Sequence, residues 1–264
     1  MRMQRSRVGD LRIAYATVGE GSPLVLLHGG WGDSRHWRRQ LDDLGADFAV
    51  TAWDAPGCGQ SPDPPKAWRM PEYADCLAAW LDAVSIERPH VVGLSWGSAL
   101  ALELYRRHPQ IPASLVLVSA YAGWAGSLPH EVVEERLERA LAELERPPEE
   151  WAAAYIPGLL TEAAPREVAD EFVAIINDVH PAGSRTMLRA MAEADLRDVL
   201  ARIDVPTLLL YGELDVRSPL HVAEALHESI PGSQLVVLAG VGHAANAEKP
   251  EEFNAAVRTF LEAL

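Results

Sequence analysis

The sequence predicts an α/β fold in which a mainly parallel sheet is covered by helices on both faces. Three observations predict it. Short, continuous apolar runs recur along the chain, among them "PLVLLH" (Pro23 to His28), "SLVLVS" (Ser114 to Ser119) and "PTLLLYG" (Pro206 to Gly212). Runs without polar alternation are strands buried on both faces. Helical spacing fills the intervals, as parallel strands need crossovers between them. Finally, the stretch from Trp124 to about Leu200 shows helical patterning only, punctuated by Pro147-Pro148, Pro157, Pro165 and Pro181. It is expected to be a helical insertion at 124–200, with 1–123 and 201–264 forming the sheet-bearing core.

Taken in order, Leu11 to Val18 alternates as a strand does, and Gly19-Glu20-Gly21 closes it. Pro23 to His28 runs into Gly29-Gly30. Phe48 to Trp53 precedes "DAPGCGQSPDPP", a loop dense in glycine and proline. From Pro71 to Val84 the residues Tyr73, Leu77, Trp80, Leu81 and Val84 share one helical face. His90 to Leu94 is a short buried strand, and Ser98 to His108 a helix stopped before Pro109. Ser114 to Ser119, Pro206 to Gly212 and Ser233 to Gly240 are further strands, with helices at Leu220 to Ser229 and Pro250 to Leu264.

The 264 residues suffice for one large α/β domain. A net charge of −15 argues against a nucleic-acid partner, because phosphate binding needs clustered Lys and Arg. The two cysteines, Cys58 and Cys76, form no disulfide framework and no zinc motif, so no metal is expected. The basic start "MRMQRSRVGDLRIAYATVGEG" lacks the apolar core of a signal peptide, and no run reaches the length of a membrane span. A cytoplasmic protein acting on a small molecule is the expectation. The oligomeric state is not readable.

The chemistry centres on "VVGLSWGSA", Val91 to Ala99. Ser95 follows a buried strand and begins a helix, the context of a G-x-S-x-G nucleophile elbow. A tight turn there pushes the hydroxyl out at the carboxyl edge of the sheet, and Gly93 and Gly97 leave room for the neighbouring backbone. The helix start directs its amides at a developing oxyanion. A serine hydroxyl needs a base. Of nine histidines, His243 in "AGVGHAANAEKP" is favoured, since it follows the last strand at the edge where ligands collect in open α/β folds. His28 ends a strand, His108 ends a helix, and His36, His90, His130, His180, His221 and His227 have no distinguishing setting.

The base needs a carboxylate to fix its tautomer. Asp215, beyond "LLLYG", is preferred because it lies deeper in the loop than its competitor Glu213, and Ala120-Tyr121-Ala122 offers no acid after the neighbouring strand. The oxyanion donors are expected at the Trp96 amide and in "HGGWGDS" at Gly30, with Trp31 the neighbouring alternative. Trp31, Tyr121 and Trp124 are the expected pocket aromatics. Trp151 and Tyr155 are read as insertion core, and Cys58 as a loop residue.

Through "LHGGWG", "DAPGCGQS", "GLSWGS", "YGELDVRSP" and "GHAANAEKP", nearly the whole chain resembles the α/β-hydrolase family. The resemblance implies an eight-stranded sheet, a cap formed by 124–200 after the sixth strand, and no cofactor. Ser95 separates the chain from relatives that use aspartate there. Length and a modest cap resemble small carboxylesterases and 3-oxoadipate enol-lactonases. "HGG", "GCG" and "SWGSALAL" resemble proline iminopeptidases, although Trp31 stands where those carry proline. Carbon–carbon bond hydrolases and a hydrolase-like receptor remain alternatives. The cap carries 16 acidic and 7 basic residues. Its charge is either a solvated face or a site for a substrate amine.

Overall fold

The computed structural model describes residues 2–264, so the first residue of the expected core lies outside the described residues. Eight strands make one sheet: β1 (Met3–Val8), β2 (Leu11–Val18), β3 (Pro23–Leu27), β4 (Ala49–Trp53), β5 (His90–Leu94), β6 (Ser114–Val118), β7 (Thr207–Gly212) and β8 (Gln234–Leu238). Their order is β1-β2-β4-β3-β5-β6-β7-β8. Pairings β1–β2 and β2–β4 are antiparallel and all the others parallel. The sheet has the eight strands that the resemblance implies, but no sequence pattern assigned residues to β1. Its residues MQRSRV are polar and only partly buried, as befits an edge strand whose signal is weak.

Helices α1 (Arg38–Leu44), α2 (Met70–Ala83) and α3 (Trp96–Arg107) serve the first crossovers. Six more, α4 (Trp124–Ser127), α5 (His130–Glu143), α6 (Ala152–Leu159), α7 (Arg166–Asn177), α8 (Pro181–Glu193) and α9 (Arg197–Leu200), lie between β6 and β7. Then come α10 (Leu220–Ser229), α11 (Ala245–Glu248) and α12 (Pro250–Glu262). The period-2 alternation of the strands divides the core. Val25, Leu27, Val91, Leu115 and Leu209 face α2, α3 and α10, where Leu77, Trp80, Leu104 and Leu226 are buried. Leu24, Leu26, Val92, Val116 and Leu210 face α1 and α12, meeting Leu41, Phe253, Val257 and Phe260. Each such side chain removed from water contributes about 1.5–3 kcal/mol before entropy is counted.

The sheet order also locates the site. From β3 the chain crosses to β4 on one side, then returns to β5 on the other. Loops leaving β3 and β5 therefore diverge and leave a crevice at the carboxyl edge. Over that edge a third apolar cluster gathers Trp151, Tyr155, Leu159, Phe172 and Ile176 of the β6–β7 helices onto Trp31 and Ala244, from the loops after β3 and β8. Glu248 ties the two layers, accepting from the Thr161 and Gly242 amides at 3.0 and 2.8 Å. Among the described residues no helix is long and apolar enough to cross a membrane.

Candidate active site

Ser95 sits at the turn between β5 and α3 with φ 53° and ψ −108°. This backbone region is disfavoured for a residue bearing a Cβ, and the surrounding contacts hold it there. The Ser95 amide donates to the Val118 carbonyl at 2.8 Å. The Ser98 hydroxyl, bonded to the Gly93 and Val118 carbonyls at 2.6 and 2.9 Å, clamps helix to strands. The flanking glycines have no room for a side chain. A Cβ on Gly93 would stand 2.3 Å from the Gly97 carbonyl oxygen, and one on Gly97 would stand 2.2 Å from that of Leu27. Both obstacles are buried backbone, which cannot yield cheaply. Gly97→Ala is therefore expected to lose about 1–3 kcal/mol of stability, read as a lower urea midpoint; an unchanged midpoint would contradict so close an approach of α3 to β3.

His243 and Asp215 meet at the same edge. The His243 Nδ1–H donates to Asp215 Oδ2 at 2.9 Å and lies 3.1 Å from Oδ1. Oδ1 also accepts from the Arg217 and Ser218 amides at 2.8 and 2.9 Å. Burial alone would raise the Asp215 carboxyl, but the neighbouring His243 and the hydrogen bonds outweigh it and hold Asp215 below its ordinary value. The Ser119 hydroxyl donates to the His243 carbonyl at 2.9 Å and fixes that loop. Glu213 turns outward, is exposed, and accepts from the Gly240 amide at 2.8 Å.

Ser95 and His243 border one cavity, of ≈ 250 Å³, without a direct hydrogen bond between them. Such bonds are often long before substrate binds. Gly30, Trp31 and Trp96 line the same cavity, and among the described residues their amides donate to no carbonyl. His28 underlies this loop: Nδ1–H donates to the Gly29 carbonyl at 2.8 Å, and Nε2 accepts from the Ala55 amide at 3.1 Å. Those partners fix its neutral tautomer, and burial lowers its pKa. The loop "DAPGCGQS" is held by Asp54, which accepts from the Ser34 and Gln60 amides. Within it the buried Cys58 thiol is pushed well up, chiefly by desolvation, and so stays protonated and inert.

Tyr121 and Trp124 line the cavity as well. Tyr155, read from sequence as core, is both: it packs on Trp31 at 5.4 Å and lines the cavity. Sequence reasoning missed two kinds of cavity residue. His36 stacks on Phe172 at 4.6 Å with neither ring nitrogen hydrogen-bonded, and burial pushes its pKa down to about 4. Arg136, Arg139 and Arg217 also reach the cavity. No local signal marks these four, because a side chain's direction is set by packing. The acidic surplus of 124–200 lies elsewhere: 14 of the 16 carboxylates are exposed, and among the described residues no Asp or Glu lines the cavity.

A family model described as alpha/beta hydrolase fold matches residues 22–250. A protein of Pseudomonas savastanoi pv. phaseolicola, whose assigned name is carbamate hydrolase RutD, is 31% identical over 252 residues, which are 92% of this chain and 95% of that protein. A thermophilic esterase from Thermogutta terrifontis superposes with a TM-score of 0.91 at 29% identity, covering 100% of this chain and 99% of that one. The enol-lactonase of Burkholderia xenovorans LB400 shares the fold, with a TM-score of 0.84 at 23% identity over 98% of this chain and 100% of its own.

Proposed function

The chain belongs to the α/β-hydrolase family and is a hydrolase, and from that premise we propose that it cleaves carboxylic esters or lactones of small molecules through an acyl-enzyme on Ser95. The observation that carries the reading is the strained Ser95 elbow bordering one cavity with a His243 that is hydrogen-bonded to Asp215. With its Nδ1–H held by Asp215, His243 is the tautomer whose Nε2 accepts a proton. As Ser95 Oγ attacks the acyl carbon, that proton passes to Nε2 and the imidazolium is stabilised by the Asp215 carboxylate. The tetrahedral oxyanion is met by the amides of Trp96 and Gly30, donors that need no reorganisation. The imidazolium then protonates the leaving alcohol. Water, activated by the same nitrogen, releases the acid.

Residues 124–200 act in this reading as a cap over the substrate. The absence of a lining carboxylate among the described residues supports an ester over a substrate held by its free amine. A carbamate, suggested by the name of several relatives, presents a similar carbonyl to the same nucleophile and belongs in the test. Wild type and Ser95→Ala are compared on p-nitrophenyl acyl esters, lactones, an aryl carbamate, and prolyl-nitroanilide with its N-acetyl form. Esters or lactones are expected to be cleaved with the highest kcat/KM, and only by the wild type. Efficient cleavage of the prolyl amide that acetylation abolishes would refute the ester reading.

A further inference from the structure

Although residues 124–200 are strongly acidic, three cations converge on the cavity, two from that segment and one from the loop after β7. Arg136 and Arg139 are three residues apart on α5 and so share a helix face. Arg217 follows Asp215 in the loop after β7, and all three line the cavity that Ser95 and His243 border. Neutral groups alone hold two of them. Arg217 Nε donates to the Gly158 carbonyl at 2.9 Å, and its guanidinium lies 4.8 Å from the centre of the Tyr155 ring. Arg136 donates to the Tyr121 hydroxyl at 3.1 Å and the Arg217 carbonyl at 3.2 Å. By contrast, Arg146, Arg166, Arg185 and Arg197 each pair with a carboxylate. Glu143, which faces the Tyr155 hydroxyl, does not line the cavity.

Arg139 is exposed, whereas Arg136 and Arg217 are half-buried, and holding two half-buried guanidinium groups beside each other without an anion is costly. Burial, together with the like charges of Arg136 and Arg139, holds Arg217 below its usual value, yet a guanidinium stays protonated. Several of its N–H donors remain available for a planar acceptor. Much of the remaining wall is apolar, formed by Leu94, Phe172, Met187, Leu188 and Met191. A ligand matching both has a short hydrocarbon body and one anionic end.

Building on the ester-hydrolase reading above, we propose that Arg136, Arg139 and Arg217 form an anion subsite, and that the substrates are esters or lactones bearing a free carboxylate. The subsite acts by binding the remote carboxylate so that the reacting carbonyl is delivered to Ser95. Transition-state binding then gains from a group that takes no part in the chemistry.

The test compares p-nitrophenyl hydrogen glutarate with p-nitrophenyl pentanoate, which matches it in chain length and lacks the charge. Wild type should favour the glutarate ester by about tenfold or more in kcat/KM, as a charge-assisted contact allows. Arg136→Gln and Arg139→Gln should each reduce that ratio about tenfold, and Arg139→Glu should drive it below one. Calorimetric titration of the wild type with glutarate, which needs no turnover, should show saturable binding that Arg139→Glu removes. A ratio near one in the wild type, or one unmoved by the arginine substitutions, overturns the subsite. So does failure to bind glutarate, whatever the esters do. If instead glutarate binds and neither ester is cleaved above the Ser95→Ala level, the ester reading fails and the subsite stands.

Discussion

Ser95→Ala is expected to fold normally and to lose hydrolytic activity by on the order of 10⁴ to 10⁶ in kcat. The size of the loss follows from the joint action proposed for the site: without Oγ, the His243–Asp215 pair has nothing to activate and the oxyanion donors have no tetrahedral species to hold. The residual rate over water is what positioning alone supplies. The fold should survive because Ser95 contributes its backbone to the turn. Its amide bond to Val118 and the Ser98 clamp are unaffected by the side chain. Circular dichroism and a urea midpoint near the wild-type value check the fold, and initial rates on the preferred ester check the chemistry. Near-wild-type turnover in the folded variant would remove Ser95 from the mechanism.

Asp215→Asn is the second large effect, about 10⁴ in kcat, with Glu213→Gln changing it little. An asparagine oxygen can still accept from the Arg217 and Ser218 amides, so the loop is preserved. What changes is the partner of His243 Nδ1. A neutral amide neither compensates the imidazolium nor enforces the tautomer that leaves Nε2 free to accept. Glu213 is exposed and bonded to Gly240, so its amide form costs only that contact. A larger loss in Glu213→Gln than in Asp215→Asn would exchange their roles. The pH profile carries an independent check. Because Asp215 is held below the ordinary carboxylate range, it remains ionised wherever the wild type is active. The kcat/KM of the wild type should fall on the acid side with uptake of one proton. A slope of two at any pH above about 4 would mean that Asp215 titrates in the ordinary range or higher.

Most of the sheet was legible because its signals are local. Buried parallel strands such as Leu115–Val118 must be apolar throughout, and the turn at Ser95 demands glycines at fixed offsets that packing then explains atom by atom. Helix ends moved by one or two residues: α3 starts at Trp96 rather than Ser98, since the elbow itself supplies the first turn. What stayed hidden is what packing decides. Strand β1 pairs by its backbone while its polar side chains stay largely solvated. His36, in a short 3-10 turn, is turned onto Phe172 by the β6–β7 helices. Arg139 and Glu138 are adjacent in sequence, yet only Arg139 lines the cavity. Net charge misleads there: residues 124–200 are acidic over their exterior, yet the charged side chains that line the cavity are arginines.

The central claim, that Ser95 is the nucleophile of an acyl-transfer site, is tested most directly by covalent labelling. The protein is incubated with a fluorophosphonate, which reacts with an activated serine hydroxyl, digested, and mapped by mass spectrometry beside Ser95→Ala. One adduct on the peptide containing Ser95, formed in proportion to the loss of ester hydrolysis and absent from the variant, is the predicted result. Full inactivation with the adduct on another residue, or undiminished labelling of Ser95→Ala, would contradict it.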